Sequence, residues 1–335
     1  MISFKLKKNL FIILLICSVL LLTVNIFLQI NETKPAPENY ILMEQDLSDQ
    51  FRNILNEFGI VDNLVKETKH LDKNLNDEIS NFKVQVPRDL TIPEILIELF
   101  RTFHKDSLSI SSIEKVKNGK TLISVKYGNT ILLSAEFDYA KNYSRNKGKI
   151  AFIIYDVDLE SEETEILLES QIKIDILVRP ESSTQNNLNL IQKNGQQFSI
   201  LIDDDISEQK YKLGPDFSEQ RVINVIKTLV IDFKNSICFV VDENSNFYKS
   251  TNYQVFEREL NKRKIKLFTT SDFTRLVNNE KLMTDFADRV DSLEAGESVV
   301  FLVNEEGFQN LDSEILKLKK QGYKVVPNSL ILSDE

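Results

Sequence analysis

Carboxylates at the ends of apolar runs carry the chemistry this chain could do. Asp156 and Asp158 follow the run 150–155 in KIAFIIYDVDL, and Asp242 follows 237–241. A further run, 198–202, ends in Asp203, Asp204 and Asp205. Short apolar runs that end in acids read as buried parallel strands, and parallel α/β folds gather ligands and catalytic groups at the C-terminal ends of their strands. Converging carboxylates can hold a hard divalent cation through oxygen ligands, or move protons in a hydrolysis. Asp156, Asp158 and Asp242 are therefore the candidate catalytic residues, with Asp156 and Asp242 the metal ligands if a cation is bound. Arg179, Asn244 and Ser245, also at strand ends, are the candidate substrate contacts.

Composition removes several other chemistries. The only histidines are His70 and His104, so no imidazole exists beyond residue 104 and Ser245 cannot belong to a Ser-His-Asp triad there. Transition metals in hydrolytic sites are normally held by imidazoles with a carboxylate, a set that the later part of the chain cannot supply. Nine glycines include no phosphate-cradling run, so nucleotide binding has no support in the sequence. A net charge of −10, with the acidic excess after Lys149, argues against nucleic acid. Cys17 and Cys238 lie too far apart in character and position to predict a disulfide.

The elements that would position these residues follow in order. Lys5, Lys7 and Lys8 precede an uncharged, mostly apolar run over 10–30, long enough to span a bilayer. Its basic flank predicts an N-terminal signal anchor over 1–31, with the N-terminus inside and the body of the protein outside. Residues 32–82 read as a Pro35/Pro37 linker and an amphipathic helix with apolar residues at Leu47, Phe51, Ile54, Leu55, Phe58 and Val61. A small α+β domain is expected over 83–139. Thr91 to Glu94 forms a capping box for its helix, His104 caps that helix's end, and Asn118-Gly119 and Gly128-Asn129 supply hairpin turns. From 149 to 333 strands and helices alternate. Strands are expected at 150–155, 172–178, 198–202, 237–241, 265–268, 298–303 and 323–326. Ser183 and Ser218 are expected to cap helices, and Gly322 to stop the last long one. This is a seven-stranded α/β architecture, a barrel or an open parallel sheet.

The order of these pieces resembles the divergent polysaccharide deacetylases, bacterial carbohydrate-esterase relatives built on an irregular β/α barrel. KIAFIIYDVDL is similar to that family's first strand with its paired aspartates. KIDILVRPESSTQNNLNLIQKNGQQFSILID is similar to its second strand, proline-tipped loop, helix and third strand. LGPDF stands at its Gly-Pro-rich loop, ICFVVDENSNF at its Asn-His-Met-Gly-Ser strand, and ESVVFLVNEEGFQNLDSEILKLKKQGYKVVPNSLIL at its last two strands. The departures fall on the chemistry. Tyr155 and Asp156 replace the aspartate pair, and Leu201 stands where the third-strand histidine falls. Asp242 takes the place of the histidine in the fourth-strand motif, of which only Ser245 is kept.

With the apolar run over 10–30, the resemblance leads to the expectation of a single-pass protein of the bacterial cytoplasmic membrane, its later domains facing the cell envelope. Its ancestral activity would be metal-dependent removal of acetyl groups from envelope polysaccharide. With the histidines gone, the expectation is a degenerate deacetylase without a cofactor that binds a glycan or an envelope protein. The alternative is an active hydrolase using a divalent metal held by carboxylates alone.

Overall fold

A computed structural model of the chain describes residues 18, 21–23, 40–72, 77–104, 108–115, 117, 119–128 and 130–333. Apart from positions 18 and 21–23, the run 10–30 expected to span a membrane lies outside the described residues, as do Cys17, the linker prolines, Asn118 and Asn129. No helix among the described residues is long and apolar enough to cross a membrane. The chain divides into two compact units, Met1–Ser144 and Arg145–Glu335.

The first unit contains α1 (Tyr40–Glu57), β1 (Val65–Asp72), β2 (Asp77–Val86), α2 (Ile92–Phe103), β3 (Leu108–Glu114), β4 (Thr121–Tyr127) and β5 (Thr130–Tyr139). Its sheet runs β1-β2-β5-β4-β3, with β2 and β5 parallel and the other pairs antiparallel. The expected stripe is buried from Leu47 to Phe58, whereas Val61, also expected on it, lies beyond the end of α1 and is exposed; Phe51 lies 4.7 Å from the Phe82 ring and 6.0 Å from that of Phe137. Strand β1 was not expected, because VKETKHLD offers no consistent apolar face. Thr91 precedes α2 but its side chain makes no capping bond; the Ile92 N–H donates instead to the Tyr139 hydroxyl at 3.3 Å. His104 closes α2 through its backbone N–H, which donates to Phe100.

The second unit alternates strand and helix except between β10 and β11: β6 (Lys149–Tyr155), α3 (Glu162–Leu168), β7 (Asp175–Val178), α4 (Ser182–Lys193), β8 (Gln197–Ile202), α5 (Glu219–Asp232), β9 (Phe239–Val241), α6 (Thr251–Lys262), β10 (Leu267–Thr269), β11 (Thr274–Arg275), α7 (Leu282–Asp291), β12 (Ser298–Asn304), α8 (Glu305–Gln321), β13 (Lys324–Val325) and α9 (Asn328–Leu332). All pairings are parallel, in the order β10-β9-β8-β7-β6-β12-β11, with β13 also on β6. The sheet therefore has eight strands, not the expected seven. The extra one, β11, follows β10 after a single 3-10 turn, Thr270–Asp272, yet pairs at the other end of the strand order. That turn carries the chain from one edge of the sheet to the other, so the sheet must curl.

Side-chain alternation gives the curled sheet two cores. Ile150, Phe152, Ile154, Ile176, Ile200, Val241 and Phe301 pack outward with the helices. Ala151, Ile153, Leu177, Cys238, Val240, Val300 and Leu302 pack inward with Ile331 and Leu332 of α9. Strand β12 pairs along the whole of β6, from 149 to 155, so β7 at 153–154 and β13 at 149–150 share the opposite edge. The terminal segment is thus wedged at the base, between the two strands that open the unit.

Helix punctuation is partly as expected. Ser218 caps α5 by accepting from the Arg221 N–H at 3.4 Å, and Gly322 ends α8 at φ 103°. Ser183 is not a cap. Helix α4 starts at Ser182, whose N–H and hydroxyl both donate to the Glu208 carboxylate, at 2.6 and 2.9 Å. A carboxylate from the loop after β8 thus takes the role that a local serine was expected to play.

Candidate functional site

The C-terminal ends of the strands open on two adjoining cavities. One, of about 370 Å³, is bordered by Tyr155, Asp156, Arg179, Asp242, Ser245 and Arg275 among others. Its neighbour, of about 290 Å³, lies against Asp158, Glu181, Ser183 and Asn187. Asp156, Leu177, Arg179 and Leu201 border both, so the pair forms one polar groove that passes over Arg179. The candidates Asp156, Asp242, Arg179, Asn244 and Ser245 meet in the larger cavity; Asp158 belongs to the smaller.

The sequence explains the convergence. Each of β6, β7, β8 and β9 is a short buried run that ends where its polar residues begin, and parallel pairing in register sets those ends side by side. At the end of β6 the backbone of Asp156 turns into the left-handed region at φ 55°, which asparagine and aspartate tolerate better than other non-glycine residues. Its side chain is exposed.

Most of the acids at the mouth are already engaged by the protein's own donors. Arg179 Nε donates to Asp203 Oδ2 at 2.7 Å, and its Nη2 to Asp205 Oδ2 at 3.4 Å. Asp204 accepts from the Asn246 N–H at 2.8 Å and from the Asn246 side chain at 2.9 Å, holding the loop after β9. Asp242 Oδ1 accepts from the backbone and side chain of Asn244, at 3.0 and 3.2 Å. Ser245, 3% exposed, donates to the Asp242 carbonyl at 2.6 Å and accepts from the Tyr248 N–H at 3.1 Å, so its hydroxyl holds the turn. Asp158 accepts from the Glu160 N–H at 3.1 Å.

Electrostatically the centre of the groove is an arginine. Burial opposes the Arg179 charge, but Asp203, Asp205 and Asp156 together hold its pKa above the ordinary value. At Asp203 the balance falls the other way: burial raises the carboxyl by more than the Arg179 bond lowers it. Arg275, missed by the sequence reading, faces the same cavity with its guanidinium 5.5 Å from the centre of the Tyr155 ring. The signal that could have found it is weak, since β11 is two residues long and has no periodicity to read.

The residues present do not fit a transition metal. Among the described residues no group of three or more His, Cys, Asp or Glu side chains is placed to hold a metal ion. Leu201, where the resemblance led to the expectation of a histidine, supplies an apolar wall to both cavities. Asp156 and Asp242, expected as ligands, border one cavity with Asp203, Asp204 and Asp205, but no three of these are grouped to hold a metal ion.

No family model matches the chain, and no curated protein does. Among solved structures it is similar to a pseudoenzyme of the CE4 family from Bacillus anthracis, at 11% identity and TM-score 0.39, over 72% of this chain and 95% of that one. It is also similar to a peptidoglycan N-acetylglucosamine deacetylase, at 14% identity and TM-score 0.39, over 56% of this chain and 88% of the other. A third is the catalytic domain of such a deacetylase from Eubacterium rectale, at 16% identity and TM-score 0.40, over 57% and 93%. These are polysaccharide deacetylases and a pseudoenzyme of their family, the kind of protein that the sequence resembles.

Proposed function

We propose that the second unit is a degenerate polysaccharide deacetylase-like domain that binds an envelope glycan in the groove over Arg179 without hydrolysing it. The observation that carries this reading is the engagement of the mouth carboxylates. Asp203 and Asp205 are paired with Arg179, Asp204 with the 246–247 loop, and Asp242 with its own turn. A guanidinium fixed among carboxylates cannot activate water as a metal does, but its remaining donors suit sugar hydroxyls and carbonyls. The side chains of Tyr155, Asn187 and Thr270 on its lining add hydroxyl and amide groups of the kind that a saccharide engages.

The run over 10–30 is proposed to anchor this domain to the cytoplasmic membrane with the groove facing the envelope. An envelope protein as the partner is the lesser proposal, because the groove is polar. A hydrolase using Asp156 and Asp242 with a divalent cation is the second reading. The observation on its side is the left-handed backbone at Asp156, a feature that concentrates at functional sites.

The test uses the full chain in detergent micelles with soluble N-acetylglucosamine oligomers. Calorimetry is expected to show saturable binding that Arg275→Met weakens about tenfold. Acetate release should stay at background with zinc, magnesium or chelator. Release that depends on added metal would establish the second reading, and absence of oligomer binding would remove the glycan from the first.

A further inference from the structure

The base of the second unit holds a carboxyl group that the proposed function does not use. Asp175 opens β7 and is fully buried. Its Oδ2 accepts from Ser199 Oγ and from Asn328 Nδ2, both at 2.7 Å. Its Oδ1 is buried without a partner, and so is the Oδ1 of Asn328. An acceptor buried without a donor is costly, and native interiors hold few. Here two occur on the two members of a pair already joined by one hydrogen bond.

One proton accounts for both. A carboxylic acid and a primary amide close a ring through two bonds, amide N–H to carboxyl oxygen and carboxyl O–H to amide oxygen. The first of these is present, and the second needs a hydrogen on Asp175 Oδ1. We propose that Asp175 is carried as a neutral carboxylic acid whose Oδ1–H donates to Asn328 Oδ1, so that an acid–amide pair fastens α9 to the start of β7. The neighbouring bonds support this as a designed attachment: Gln197 Nε2 donates to Ser329 Oγ at 2.6 Å, and the Ser329 N–H donates back to Gln197 Oε1 at 3.1 Å.

The surroundings favour the proton. Burial pushes the Asp175 carboxyl up to about 7, against the opposing pull of the Asn328 and Ser199 bonds, and no cation is among the groups acting on it. The titratable group facing it is Cys238, just before β9, which meets Ser199 Oγ at 3.2 Å. Burial raises that thiol, and Asp175 raises it further; Lys266, ahead of β10, acts on the thiol. From β8 and α9 the facing groups are Gln197, Ser199, Asn328 and Ser329, all neutral. The linkage then has a definite sign. The folded pKa of about 7 lies above the unfolded value of 3.8, so the folded chain holds a proton that the unfolded chain has released. The stability contributed is complete below the unfolded value and is lost as pH rises towards the folded one. The attachment of α9 is therefore acid-tightened.

Thermal unfolding of the full chain in micelles tests this at about pH 5 and about pH 8. The parent midpoint for the second unit is expected to fall between the two. Asp175→Asn replaces the O–H donor by an N–H donor, so it should remove most of that fall and match or exceed the parent at the higher pH. An equal loss at both pH values would show an ionised carboxylate and overturn the proposal. So would a parent midpoint raised by sodium or magnesium at constant ionic strength, which would put a cation on the two oxygens. Infrared spectroscopy of the parent gives a reading that does not depend on the variant folding. A buried carboxylic C=O band should be present at about pH 5 and fade around neutrality; its absence at the lower pH would also overturn the proposal.

Discussion

The two ends of the curled sheet handle the same functional group in opposite ways. At the mouth, Asp203 is held by the Arg179 guanidinium. At the base, Asp175 has no cation beside it and a pKa raised to about 7. Both residues belong to neighbouring strand segments and both are buried, at 6% and 0% exposure. What differs is access to a long side chain whose charge can stay in contact with water. Arg179 reaches Asp203 with more than a third of its side chain exposed, so the pair is only half desolvated. The base is closed by α9 and offers no such route, so a charge there would meet the full cost of burial. A polar mouth can therefore accept a ligand, while the base can only be opened or shut.

The contrast can be broken in order of size. Asn328→Ala removes the amide and leaves Asp175 with one donor; it should cost about 3 kcal/mol in chemical unfolding of the second unit. A loss below about 1 kcal/mol would mean that α9 is held by its apolar contacts alone. Arg179→Met strands Asp203 and should cost about 2 kcal/mol near neutrality, below the range for fully buried pairs because the arginine is partly exposed. That deficit should shrink as pH falls, since Asp203 escapes by taking a proton; a deficit independent of pH would point to lost packing instead. Glu208→Gln should cost about 0.5 kcal/mol by weakening the start of α4. The Glu208 carboxyl is held below its ordinary value chiefly by the Ser182 N–H, so this contribution is present above the unfolded pKa of 4.5 and fades as pH falls through the lower, folded one. A cost that persists unchanged at low pH would argue against the ionised cap. Asp156→Asn should change stability by less than about 0.5 kcal/mol, because asparagine accepts the same left-handed backbone and Arg179 keeps its two nearer acids. Loss of stability seen only when divalent metal is supplied to the parent would restore the metal reading.

What could be read from the sequence follows what is local. The alternation of apolar runs and helical faces located the strands from β6 to β9 and β12, and their polar tips located the mouth, because periodicity records burial directly. Strand β1 was missed because its residues do not alternate in polarity, and β11 because two residues have no pattern. The mouth's acids were expected to converge on a hard cation or to move protons, free of partners from the chain itself. Arg179 reverses that expectation, and the pairing across 24 residues to Asp203 leaves no local trace. The same holds for the Glu208 cap on α4, 26 residues away. Asp175 did leave a trace that went unread: a carboxylate between Ile174 and Ile176 in an otherwise apolar strand, the buried polar residue that is informative where an exposed one is not.

The shared edge of β6 has a consequence for the order of assembly. β6 is the first strand of its unit, and β13 pairs with it at 149–150 from more than 170 residues further along. Contacts of such separation close late, since loop entropy must be met before they give anything back. A chain made from its N-terminus would present β6 to β9 and their helices while the base of β6 still lacked its partner. Until 324–332 emerged, that edge and the inward face of Ala151, Ile153 and Val240 would lie open to any other strand or to a chaperone. Residues 324–332 therefore supply the closing step in assembly of the second unit, and a chain that has not yet placed them is the species in which misassembly would begin.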